Sequence, residues 1–101
     1  MDKEQAYQKC ESFIGEFDEL ISSVKSIKNY MYSSFCTDFL SGMYKKRNSV
    51  FDLLNVIYNL SNENFNSSEI ERKLTEIERQ VENAKSELEF IKTKGPFKNP
   101  Y

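Results

Sequence analysis

Residues 67–94 read SSEIERKLTEIERQVENAKSELEFIKTK. Ile70, Leu74, Ile77, Val81, Ala84, Leu88 and Ile91 recur at alternating steps of four and three, which lays one continuous apolar stripe along one side of an α-helix. No Gly or Pro interrupts the run. Ser68 and Glu71 have the S-x-x-E spacing of a capping box, while Lys92, Lys94, Gly95 and Pro96 supply a cationic last turn and a stop. The spacing predicts a long amphipathic helix from Ser67 to Lys94.

Working outward from this stretch, the N-terminal third carries a matching stripe. Ala6, Cys10, Phe13, Phe17, Leu20, Val24, Ile27 and Met31 keep the same rhythm, and Tyr7, Ile14 and Ile21 widen it on one side. A stripe that wide touches two neighbours rather than one, as in a helical bundle. After Met31 the phase slips. The next series is Cys36, Leu40, Met43, Arg47, Val50, Leu54 and Ile57, with Phe39, Phe51, Leu53, Tyr58 and Leu60 beside it.

The slip admits a turn at Ser33-Ser34 or at Ser41-Gly42. Carboxylates favour the first turn of a helix and cations the last, by about 0.3 to 1 kcal/mol each. A break at Ser33-Ser34 puts Lys25 and Lys28 near the end of one helix and Asp38 near the start of the next, whereas a break at Gly42 reverses both signs. The earlier break is therefore expected, with a cost of roughly 1 kcal/mol for Gly42 inside a helix. The second turn is Ser61-Asn62-Glu63-Asn64-Phe65-Asn66, a cluster of turn formers between two periodic runs.

Three helices follow, at about 3–32, 34–60 and 67–94, each roughly 40 Å long. Short links between helices of equal length predict an all-α, antiparallel up-down-up three-helix bundle over residues 1–94, packed in heptad-like fashion. Residues 95–101, GPFKNPY, form an extended tail because both prolines exclude helix continuation.

Composition narrows the function classes. A chain of 101 residues, 39% hydrophobic and 30% charged with a mean hydropathy of -0.66, is one domain with no membrane span. A net charge of -2 gives no field to gather nucleic acid or an anionic membrane. The N-terminal residues lack the layout of a secretory signal, so a cytoplasmic setting is expected. Abundant Asn, Lys and Ile with two Ala suit an AT-rich coding genome, such as a low-GC bacterium or its phage.

The chain has no His, which removes the commonest general base and the commonest nitrogen metal ligand. It has no glycine-rich phosphate loop either, and its three glycines stand far apart. No catalytic, cofactor-binding or metal site is expected. The Glu residues of 67–94 flank the apolar stripe as a solvated face. Cys10 and Cys36 lie on apolar stripes near opposite ends of a helix pair, roughly 30 Å apart, so buried thiols rather than a disulfide are expected.

What remains is contact with other proteins. Lys45-Lys46-Arg47 is the basic cluster. Arg47 falls on the apolar stripe and calls for a carboxylate, with Glu16, Asp18, Glu78 and Glu82 in reach, so a structural cross-helix ion pair is expected. Lys45 and Lys46, together with Phe90, Phe97 and Tyr101 toward the C-terminal end, are the candidate partner contacts. The third helix also suits a parallel homodimer, because Lys73 would face Glu78 and Glu87 would face Lys92 across it. Its Glu-to-cation pairs at 69/72, 76/79, 82/85 and 89/92 support the helix on its own.

The expected function is a small non-enzymatic helical interaction module: an adaptor, an accessory factor or an inhibitor that binds a partner protein. The alternatives are a coiled-coil homo-oligomeric structural protein and a secretion-system partner. In length, acidity and the tripeptide Leu40-Ser41-Gly42 the chain resembles the WXG100 family of paired helical secretion substrates. Leu stands where that family has Trp, and no C-terminal Y-x-x-x-D/E follows. A helix running unbroken through Gly42 would argue against that resemblance.

Overall fold

The computed structural model describes residues 1–27 and 33–94, with side chains for 1–26 and 36–93. Three helices make up the fold: α1 (Lys3–Ile27), α2 (Ser33–Asn59) and α3 (Ser67–Lys94). The chain is an all-α three-helix bundle in which α1 packs against both other helices. Tyr7 meets Tyr58 and Asp18 meets Arg47, so α2 runs antiparallel to α1. Met1 lies by Glu71 and Glu16 by Lys85, so α3 runs parallel to α1. The radius of gyration is 16.3 Å, against about 13 Å for a compact chain of this length, as a rod of long helices requires.

The helix ends correct the expected boundaries. α2 starts at Ser33 and ends at Asn59, one residue earlier at each end than expected, and it passes through Gly42 without a break. Its first turn holds no carboxylate, since Asp38 sits farther in. Lys25 does stand in the last turn of α1. The part of the expected first helix from 28 to 32, and the expected tail at 95–101, lie outside the described residues.

Capping differs as well. The box expected at Ser68 and Glu71 is replaced by Asn66, whose Oδ1 accepts from the Glu69 amide at 3.0 Å. Glu71 turns instead to Ser67, whose hydroxyl donates to it at 2.6 Å. At the other end of the sequence, Asp2 and Gln5 form a reciprocal box: the Gln5 amide donates to Asp2 Oδ1 at 2.8 Å and the Asp2 amide to Gln5 Oε1 at 3.0 Å. Between α2 and α3 the Asn64 amide closes a turn onto the Ser61 carbonyl at 3.1 Å, and Phe65 packs its ring against the core.

Stripe width explains the arrangement. α1 buries Ala6, Cys10, Phe13, Phe17, Leu20, Ile21 and Val24, with Tyr7 and Ile14 packed beside them, and that breadth serves two neighbours. α3 buries the narrow run Ile70, Leu74, Ile77, Val81, Ala84 and Leu88, which suffices for one wall. α3 therefore docks mainly on α1, and an open groove separates it from α2. No described residue with a polar or charged side chain is buried.

Candidate protein-contact surfaces

Arg47 Nε donates to Asp18 Oδ1 at 2.6 Å, so of the carboxylates in reach by sequence the guanidinium meets Asp18. Glu16 is taken by Lys85, whose Nζ donates to it at 2.7 Å and also lies 3.4 Å from Glu82. The Glu16 contact, ahead of other causes, holds the Lys85 ammonium above its ordinary value. Glu71 is held below the ordinary carboxyl range by the Ser67 hydroxyl first and the Met1 amine second. Along α3, Glu76 pairs with Arg79 and Glu89 with Lys92, while Glu69 pairs with Lys73 rather than the expected Arg72.

The basic cluster does not form one patch. Lys45 is exposed, Lys46 is half-buried and Arg47 is turned to Asp18, because successive helical residues diverge by about 100°. Phe90 is 62% exposed, about 160° round α3 from the buried Leu88. Phe97 and Tyr101 lie outside the described residues. Cys10 and Cys36 are buried, and burial pushes the Cys10 thiol up to about 11. Among the described residues no cluster of three or more His, Cys, Asp or Glu is placed to hold a metal ion. No helix among them is long and apolar enough to cross a membrane.

Two surfaces stand out. The first is the groove between α2 and α3, about 630 Å³, lined by apolar Leu53, Val56 and Ile77 and by charged Asp52, Arg72, Lys73 and Glu76. Its lining carries both signs of charge.

The second lies on the opposite flank of α2. Ser41, Tyr44, Asn48, Phe51, Asn55 and Tyr58 follow one another at steps of three and four, and all are exposed. None is charged. Tyr44, Phe51 and Tyr58 are 41%, 46% and 66% exposed, an aromatic at every seventh residue. Phe51 and Val56 are about 140° apart round the helix, so this flank and the groove face different directions.

α1 completes the second surface. The Tyr7 and Tyr58 rings lie 6.0 Å apart, and Lys25 Nζ sits 5.6 Å from the centre of the Tyr44 ring. In the register set by the Tyr7–Tyr58 and Asp18–Arg47 pairs, half-buried Ile14 stands level with Phe51. Glu16, which faces α3, is about 160° round α1 from Ile14, so the aromatic flank points away from α3. At its Tyr58 end the flank opens into a hollow of about 350 Å³ lined by Lys3, Glu4, Tyr7, Tyr58 and Asn62.

None of this stripe is among the contact residues expected from the sequence. By the four-three spacing Phe51 and Tyr58 stand merely beside the buried stripe of α2. The signal that marks them together is the three-four spacing of uncharged residues through a helix whose other exposed positions include Asp38, Lys45 and Asp52. Comparison with protein-family models, with curated proteins and with solved structures finds no match to this chain.

Proposed function

We propose that this protein is a non-enzymatic helical interaction module whose contact face is the uncharged flank of α2. One observation carries the reading: in a chain with 30% charged residues, six successive exposed flank positions of α2, from Ser41 to Tyr58, carry no charge and three of them are aromatic. Depletion of charge with enrichment in Tyr and Phe is the compositional mark of the core of a protein–protein interface. Tyr58 and Tyr44 also brace α2 against Tyr7 and Lys25 of α1, and Phe51 between them keeps 46% of its surface in water.

Absence of catalysis fits the same picture. The chain lacks His, and its described core contains no polar side chain that a reaction would need in a water-excluded site. Burial of both cysteines in the core suits a reducing, cytoplasmic setting. The secretion-substrate alternative loses its support, since Leu40-Ser41-Gly42 lies inside an unbroken helix.

The test is affinity capture from cells that express the protein, with the wild-type chain and a Phe51→Glu chain as parallel baits. One or a few proteins held by the wild type and lost from Phe51→Glu are expected. The same set on both baits would overturn the assignment of this face.

A further inference from the structure

We infer that α3 is a hinged cover: it leaves the α1–α2 pair as one unit, about the link at 60–66, and bares a face of α1 that holds Phe13 and Leu20. The aromatic flank of α2 points away from α3, so this opening is separate from the contact face proposed above.

The three helices are held unequally. α3 docks on α1, while a groove of about 630 Å³ separates it from α2 and leaves Val56 53% exposed. Among the described side chains α3 buries six apolar ones, of which Ala84 is one and none is aromatic. α1 and α2 bury seven and eight, with Phe13, Phe17, Phe39 and Met43 among them. The part of a fold with the fewest buried apolar contacts opens at the lowest cost, and here that part is α3.

Helix angles define what α3 covers. Glu16 of α1 meets Lys85 of α3, and Phe13 and Leu20 lie about 60° and 40° round α1 from Glu16, on its core side. Both are 6% exposed. Departure of α3 uncovers them together with its own stripe.

α3 also carries its own support. Glu69–Lys73, Glu76–Arg79, Glu82–Lys85 and Glu89–Lys92 pair along its length, and no such pair within one helix occurs among the described residues of α1 and α2. Pairs at this spacing stabilise a helix without tertiary contact. The undocked arm therefore keeps part of its helix, which lowers the cost of leaving. The link suits a hinge, since Ser61, Asn62, Glu63 and Asn64 are all exposed.

Native-state hydrogen exchange of the full chain at a series of low urea concentrations tests this. The amides around Val81, at the middle of α3, should exchange through an opening that depends on urea less steeply than that of the slowest amides of α1 and α2. Val81→Ala should speed exchange in α3 by about tenfold. Leu40 is buried on α2 seven residues before Arg47, on the side that meets α1 and about 160° from groove-lining Val56. Leu40→Ala should speed the slowest amides of α1 and α2 by at least about tenfold and leave those around Val81 within about twofold of the wild type. One rate and one urea dependence for all three helices of the wild type, an α1 or α2 that opens before α3, or an acceleration of α3 by Leu40→Ala as large as that of α1 and α2 overturns the inference.

Discussion

Asp18 and Arg47 are joined at 2.6 Å across the α1–α2 seam, and Arg47 occupies a position of the apolar stripe between Met43 and Val50. The guanidinium reaches solvent at the edge of the seam, with its side chain 32% exposed and that of Asp18 51% exposed. Such half-exposed pairs couple weakly but fix which turn of one helix faces which turn of the other. A double-mutant cycle with Asp18→Asn and Arg47→Gln should give a coupling of about 0.5 to 1 kcal/mol that shrinks with added salt. Urea midpoints at low and high salt measure it.

Burial separates two phenylalanines. Phe17 is fully buried in the core of α1 and Phe51 is 46% exposed on the flank of α2. Phe17→Ala should cost about 3 to 5 kcal/mol, and Phe51→Ala within about 0.5 kcal/mol of the wild type for the monomer. Chemical denaturation at low protein concentration reads both. Comparable losses would contradict the placement of the Tyr44–Phe51–Tyr58 stripe outside the core.

Gly15 and Gly42 sit inside helices where an added Cβ would meet nothing within 4 Å. Gly15→Ala and Gly42→Ala should each stabilise the fold by about 1 kcal/mol, the helix-propensity difference. The two positions are on different helices and about two turns apart in level, so the gains should add. A thermal melt of the double variant checks it.

The start of α3 is fixed by Asn66 rather than by Ser68. Asn66→Ala should cost about 1 kcal/mol, the usual worth of a cap, whereas Ser68→Ala should change little. Equal effects would favour a box at Ser68.

Burial raises the Cys10 thiol from its ordinary value near 9 to about 11. The folded state therefore keeps a proton that the unfolded chain gives up above pH 9, and stability from this group is full below pH 9 and lost as pH climbs toward 11. The stability advantage of the wild type over Cys10→Ala should shrink between pH 9 and pH 11. Native Cys10 should also resist thiol reagents at neutral pH and react once urea unfolds the chain.

Three helices and their buried stripes were legible because burial in a bundle follows the four-three spacing, and Leu74, Val81, Phe17 and Val50 all obey it. The break at Ser33 was legible from the phase slip, although the carboxylate argued to mark it, Asp38, lies beyond the first turn. The cap of α3 was not, because Asn66, Ser67 and Ser68 are all competent caps and tertiary packing chooses among them. The flank of α2 was hidden for a different reason. Its alternate positions are Asn48 and Asn55, so a search for apolar periodicity passes over it, and absence of charge becomes informative only once those positions are known to face water. The groove between α2 and α3 depends on the width of the α3 stripe relative to that of α1, which neither run reveals alone.

Affinity capture with wild-type and Phe51→Glu baits tests the central claim, a contact face on the uncharged flank of α2, most directly. One or a few proteins held by the wild type and lost from Phe51→Glu are expected. The same set of proteins on both baits would contradict a contact face centred on Phe51.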